Sequence, residues 1–167
     1  NLEPLKVKTG LVIRKADTDD IPSLIRLGRE MYEEAPTFNM LDFDDQKVIA
    51  LFNSPQMVEC GACFIAEDNG DAIGMFCGLI VPHYFGHALM ANDLCLFVSK
   101  PKRGGTAAYR LIKTFESWAL AHGAEVLRFG ISTGVDTERT LKLYEKLGYR
   151  LEGYQVNKYH SKGAVKL

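Results

Sequence analysis

The sequence predicts a single α/β domain with a mixed, largely antiparallel central sheet flanked by about four helices. Three observations predict it. Strand-like and helix-like patterns alternate along the chain, two strand patterns meet at the turn Asp68-Asn69-Gly70-Asp71, and the composition is that of an ordinary globular protein. The 167 residues are 47% hydrophobic and 25% charged, values that argue against a disordered tail, a collagen-like rod or a coiled coil. No repeat, low-complexity tract or linker interrupts them, so residues 1–167 are read as one domain with residues 1–10 as an N-terminal extension. A chain of this length buries roughly 70% of its unfolded surface and can fold without metal or disulfides.

The elements follow in order. Leu11 to Lys15 is a short apolar strand. The Asp and Thr residues at 17–20 cap a helix whose apolar positions Ile21, Leu24, Gly28, Met31, Tyr32 and Ala35 recur at helical spacing, with Pro22 tolerated in its first turn. A loop with apolar tips, Phe38 to Phe43, leads to a second helix at about 44–53. Residues 62–67 and 72–81 are the two strands of a hairpin, and His87 to Val98 is another strand. Ala108, Leu111, Ile112, Phe115 and Trp118 then form an amphipathic stripe that ends at Gly123, where a helix C-cap is expected. EVLRFGI (125–131) is a further strand. Asp136 caps a helix carrying Leu141, Leu143, Tyr144 and Leu147 that stops at Gly148. Tyr149 to Tyr159 is read as a closing strand and AVKL (164–167) as a last edge strand.

Charge and composition narrow the partners. Twenty Lys and Arg residues face 21 Asp and Glu residues, a formal net charge of −1, without the basic footprint of a nucleic-acid binder. No apolar run approaches the roughly 20 residues of a membrane span, and NLEPLKVKTG has no apolar h-region and does not read as a signal peptide. Cys60, Cys63, Cys77 and Cys95 lie inside apolar stretches without a regular framework, which reads as buried thiols in a reducing, cytoplasmic setting. Cys60, Cys63, His83 and His87 also make a C-x2-C-x19-H-x3-H spacing. Its long spacer is filled by two apolar strands rather than a helix that could carry the histidines, so no metal site is expected.

Two segments carry chemistry. In VSKPKRGGTAAYRLI (98–112) a strand ends, a basic glycine turn follows and a helix begins. Glycines admit a phosphate close to the backbone, helix-start N–H groups point at it, and Arg103 can add charge. The segment lacks the endings of a nucleotide-triphosphate loop or a dinucleotide turn. In DTERTLKLYEKLGYRLEG (136–153) a capped helix ends in Leu147-Gly148-Tyr149 before a strand pattern. Lys100, Lys102, Arg103 and Arg110 gather around the first turn, while Asp42, Asp44 and Asp45 gather near the apolar loop, which together read as a cationic cofactor mouth and an anionic entrance.

In this order and spacing the two segments resemble the GNAT superfamily of acyl-CoA-dependent N-acyltransferases. The first matches the pattern Q/R-x-x-G-x-G/A with Arg103 and Ala108; the second matches a helix with Tyr144 ahead of Leu147-Gly148-Tyr149. Thr106 stands in the place of the central glycine, and Thr137 and Thr140 stand where Asn and Ala are frequent.

The resemblance implies a GNAT-type sheet and an N-acetyltransferase that moves the acetyl group of acetyl-CoA, its co-substrate, to a primary amine by direct attack in a ternary complex. It implies that Arg103, Gly104, Gly105, Thr106, Ala107, Ala108 and Thr137 hold the coenzyme. The backbone of Leu96, Phe97 and Val98 holds the thioester and pantetheine where the strand splays, and Tyr144 contacts the coenzyme and protonates the departing thiolate. Asp93 is the candidate base, with a water-relayed or different base as the alternative, because a protonated amine of pKa near 10.4 must lose a proton before it attacks. Strict alternation along the strand places Asp93 on one face with Ala91, Cys95 and Phe97. Phe38, Met40 and Phe43 are expected on the acceptor side, the acceptor being a small-molecule or peptide amine, and a homodimer is compatible with the layout. The alternative is a coenzyme-A-binding regulatory or interaction module of the same fold without catalysis.

Overall fold

The computed structural model describes residues 10–160. The elements are β1 (Leu11–Lys15), α1 (Ile21–Glu34), α2 (Asp45–Phe52), α3 (Pro55–Cys60), β2 (Gly61–Asp68), β3 (Asp71–Pro82), β4 (Leu89–Val98), α4 (Ala107–Ala121), β5 (Ala124–Arg128) and α5 (Thr137–Lys146). The strands form one sheet in the order β1-β2-β3-β4-β5, antiparallel except for the parallel pair β4–β5. This is the mixed, largely antiparallel sheet that the sequence predicts.

The predicted elements and the observed ones agree except in two places. Helix α3 is an addition, although its signals are present: Ser54 accepts a hydrogen bond from the Met57 N–H, and Pro55 occupies the first turn. The closing strand expected at Tyr149 to Tyr159 is not formed among the described residues. Residues 150–158 form no regular element, are exposed and make no backbone hydrogen bond to any described strand. The edge strand expected at 164–167, and most of the extension at 1–10, lie outside the described residues.

Each face of the sheet has its own core. Under α4 lie Ala62, Phe64, Phe76, Ala91 and Val98 with Leu111, Ile112 and Phe115; under α1, Leu24 and Leu27 pack on Cys63, Ile65, Met75, Cys77 and Phe97. Phe76 and Phe115 are both fully buried and stack at 4.5 Å, so cutting either to Ala should cost about 3–5 kcal/mol. Gly78 permits this approach: a Cβ there would meet Phe115 Cζ at 2.4 Å and the Asn92 carbonyl at 2.5 Å.

The sequence reads as four buried thiols, and the structure corrects this for three of them, Cys63 and Cys77 by their pairing and Cys60 by its exposure. The β2–β3 register sets Cys63 opposite Cys77, with Cα atoms 4.1 Å apart, and the two form a disulfide; Cys60 and Cys95 are free. The pairing depends on hairpin register, which a spacing of 14 residues does not reveal. Among the described residues no three His, Cys, Asp or Glu side chains converge as metal ligands, and no helix is long and apolar enough to cross a membrane.

Candidate active site

The site begins with a mismatch in strand length. β5 follows β4 only from Leu89 to Asn92, pairing Asn92 with Arg128, and then ends, while β4 continues to Val98. Among the described residues, backbone groups of residues 93–98 on that side therefore have no strand partner. They line a cleft of about 440 Å³ together with the turn 102–105, the start of α4, the segment 130–136 and one face of α5. Leu96, Phe97 and Val98, expected where the strand opens, line the cleft beside the early end of β5.

A bulge then re-aims the side chains of β4. Gly78 pairs with Asp93 and Cys77 with Cys95, so Leu94 is an extra residue on β4. Simple alternation is overturned here. Ala91 packs with Leu96 and Val98 under α4, whereas Cys95 and Phe97 pack under α1. The inserted residue shifts the period of two by one position, as bulges beside functional sites commonly do.

Asp93 and Tyr144 both line this cleft. The Asp93 carboxylate accepts a hydrogen bond from the Gly130 N–H at 2.9 Å, spanning the opening between the two strands. Burial raises its pKa above the usual carboxylate range, opposed by backbone hydrogen bonds from Gly130 and from Asp93 itself. Tyr144 is 4% exposed and packs against Phe129 and Tyr149. Its hydroxyl is buried and has no hydrogen-bond partner among the described residues, and burial, then the charge of Asp93, pushes its pKa up. An orphaned buried hydroxyl costs about 1–3 kcal/mol. A hydroxyl kept in that state beside a cleft is available to donate to a bound group. Cys95 also lines the cleft, and burial, with Asp93 adding to it, pushes its thiol up to about 12.

The anion-binding turn has the expected backbone and unexpected cations. Gly104 has φ +95°, a conformation for which glycine is suited, and α4 starts without a side-chain cap and without an acidic residue in its first turn. Gly104, Gly105, Ala107 and Ala108 line the cleft, whereas Thr106 and Thr137 do not.

Arg103 lines the cleft, but its guanidinium is already engaged. It donates to both carboxylate oxygens of Glu34, one at 2.6 Å, and to the Val98 carbonyl at 2.9 Å. It also lies over the Phe97 ring at 5.4 Å and within 3.7 Å of Asp136. It joins the end of α1, the end of β4 and the start of α5. Lys102 pairs with Asp68, and Arg110 donates to the Leu11 carbonyl. The cationic mouth read from Lys100, Lys102, Arg103 and Arg110 is therefore largely spent on structural pairs. Arg139, Lys142 and Lys146, exposed on the cleft side of α5, face the cleft instead. Their spacing of three and four residues on one helix was the sequence signal for that face.

The acceptor side is also redrawn. Phe38 and Met31 line the cleft, while Met40 and Phe43 do not. Phe43 instead packs on Tyr32 and Gly28 and lies under Arg29. Asp44 caps α2 and Asp45 pairs with Arg29, so the anionic entrance expected from Asp42, Asp44 and Asp45 is not built at the cleft. The segment carrying Phe38 meets the segment after β5: Thr37 Oγ1 donates to the Ser132 carbonyl at 3.4 Å, and Gly134 packs against Pro36.

Comparison with known proteins agrees with this architecture. A search of curated proteins finds no match. An aminoglycoside acetyltransferase, HMB0005, from an uncultured soil metagenomic sample shares 20% identity at a TM-score of 0.70, covering 92% of this chain and 100% of that one. A ribosomal-protein-alanine N-acetyltransferase from Brucella melitensis biovar Abortus 2308 shares 16% at 0.71, covering 90% and 99%. A predicted acetyltransferase from Clostridium acetobutylicum, solved with acetyl-CoA, shares 17% at 0.69, covering 89% and 96%. At these identities the likeness concerns the fold. The family model for the acetyltransferase (GNAT) family matches residues 25–149, from α1 through the end of the cleft. The chain belongs to the acetyltransferase (GNAT) family.

Proposed function

We propose that the protein is an acyl-CoA-dependent N-acetyltransferase that acetylates a primary amine by direct attack in a ternary complex. The observation that carries this reading is the placement of Asp93 and the orphaned Tyr144 hydroxyl in one cleft at the point where β4 and β5 part. The residues suit the co-substrate on their own chemistry. Free N–H groups at the start of α4, the turn at Gly104 and Gly105, and Arg139, Lys142 and Lys146 suit its phosphates. The unpaired edge of β4 suits an amide-bearing pantetheine arm.

When bound, acetyl-CoA supplies the thioester whose carbonyl carbon the amine attacks. Asp93 takes the proton of the incoming ammonium, and its raised pKa brings its basicity closer to that task than an ordinary carboxylate. Tyr144 donates its proton toward the leaving sulfur; its own raised pKa keeps it protonated at neutral pH. Arg103 acts as a positioning residue for the glycine turn through Glu34. Met31 and Phe38 border the acceptor space, which suits an amine on a partly apolar body.

Calorimetric titration with acetyl-CoA, followed by a thiol-release assay over a panel of amines, tests the reading. Saturable binding and acceptor-dependent thiol release are expected. Binding without release would favour a non-catalytic coenzyme A module, and absence of binding would overturn both. We place this chemistry in the cytoplasm. The Cys63–Cys77 disulfide is the feature that points the other way, and alkylation of the protein in unreduced cell extract followed by mass spectrometry distinguishes the two.

A further inference from the structure

Of the residues of α5 only Tyr144 is buried, and its hydroxyl has no partner among the described residues to orient it. The direction of the phenol is therefore set by what the ring packs on. Phe129 lies at 5.8 Å from it, and Tyr149 meets it edge to face at 5.4 Å. Phe129 is itself wedged against the fully buried rings of Phe76 and Phe115. Tyr149 is held from another direction, by a 2.6 Å hydrogen bond from its hydroxyl to the Glu116 carboxylate on α4.

The sequence around Gly148 fixes how Tyr149 stands to Tyr144. Gly148 has φ +90°, its N–H donates to the Glu145 carbonyl, and the Tyr149 N–H donates to the Tyr144 carbonyl, both at 3.0 Å. A helix that ends this way folds the residue after the glycine back onto its last turn. Leu147-Gly148-Tyr149 thus brings ring 149 against ring 144, and Glu116, 33 residues away, pins ring 149 in place. A phenylalanine would fill the same space; the bond to Glu116 is what tyrosine adds. Lys113 occupies Glu116 Oε1 at 2.9 Å and leaves Oε2 for Tyr149.

We propose that Tyr149, pinned by Glu116, is a positioning residue for Tyr144, holding its ring in the one orientation that presents the unpartnered hydroxyl to the cleft. This role rests on the proton-donor reading of Tyr144. Neither Tyr149 nor Glu116 lines the cleft, so both act through Tyr144 and not on the reacting groups. A proton donor displaced by a fraction of an ångström loses rate, whereas cofactor and acceptor contacts elsewhere in the cleft are untouched. The contribution is therefore to kcat.

The test begins on the free protein, with carbon-13 in the tyrosine rings and NMR detection. The Tyr144 signal, identified by its loss in Tyr144→Phe, should shift and broaden in Tyr149→Phe and in Glu116→Ala. It should stay near its wild-type place in Glu116→Gln, which keeps an oxygen to accept the Tyr149 hydroxyl. A Tyr144 signal unmoved in the first two variants would overturn the proposal. With acetyl-CoA and the most active amine of the panel, kcat should fall about tenfold in both, less than on removing the Tyr144 hydroxyl itself. KM and the calorimetric Kd for acetyl-CoA should not change, and Glu116→Gln should recover most of the rate. In the double variant Tyr144→Phe/Tyr149→Phe no hydroxyl is left to aim. The second change should then cost no further turnover, although it still lowers the melting temperature, whereas a merely structural Tyr149 would give losses that add. Additive losses, or full turnover in Tyr149→Phe where Tyr144→Phe is impaired, would sink the positioning role alone. An unimpaired Tyr144→Phe would sink the donor reading and the positioning role with it.

Discussion

Asp93 accepts a hydrogen bond from the backbone N–H of Gly130 at 2.9 Å, and this contact bridges β4 to the chain just beyond the end of β5. It holds a carboxylate at the mouth of the opening between the strands, where burial disfavours its charge. The bond also fixes where the segment 130–133 leaves the sheet to line the cleft. One residue thus ties the shape of the site to its proton chemistry.

Asp93→Asn should lower kcat by about 10²–10⁴ at neutral pH. The loss should shrink as pH approaches the amine's own pKa, because a deprotonated acceptor no longer needs a base. A pH–rate profile checks this, and a loss of equal size at every pH would remove Asp93 from the role. The same variant should gain stability at neutral pH. The folded pKa lies above the ordinary 3.8, so the penalty for the charge is absent below that value. It grows as pH rises through the folded pKa and is complete above it. Thermal melts of wild type and variant should therefore coincide in acid and diverge toward pH 7, with the variant the more stable.

Tyr144→Phe removes a hydroxyl that has no partner among the described residues and leaves the ring packed against Phe129 and Tyr149. Stability should be unchanged or slightly higher. Turnover should fall by about 10²-fold with little change in acetyl-CoA affinity. Steady-state kinetics beside calorimetric binding separate the two, and unchanged turnover across the amine panel would contradict the assignment.

Glu34→Ala tests what Arg103 does. If the guanidinium mainly positions the glycine turn through Glu34, both Glu34→Ala and Arg103→Ala should cost about 1–3 kcal/mol of stability. Both should also weaken coenzyme binding, and the double variant should be little worse than either single one. Should Arg103 instead contact the diphosphate directly, freeing it by Glu34→Ala would strengthen binding. Melting curves and binding isotherms on the three variants discriminate.

Charge reversal on α5 tests the other cations. Arg139→Glu, Lys142→Glu and Lys146→Glu, each at an exposed position facing the cleft, should each weaken acetyl-CoA binding by about 1 kcal/mol at low salt. The effect should fade as ionic strength rises and the Debye length shortens. Binding isotherms at low and high salt are the measurement. Lys113→Glu, on α4 and paired with Glu116, is the control expected to leave affinity unchanged.

Local chemistry determined a large part of this protein from the sequence alone. The turn Asp68-Asn69-Gly70-Asp71 set the β2–β3 hairpin, the spacing of Leu111, Ile112 and Phe115 set the buried face of α4, and the run from Arg103 to Ala108 placed a glycine turn before that helix. Each is a relation among residues within a few positions of one another. Tertiary structure alone decided the rest. β5 stops beside Asn92 while β4 runs on, Leu94 enters as an extra residue that reverses the faces beyond it, and Arg103 is claimed by Glu34, 69 residues away. Register, strand length and ion pairing are settled between segments distant in sequence, by which backbone groups and charges meet once the layers pack. That is why the residue types of the site were legible in the chain, and why the opening that makes them a site was not.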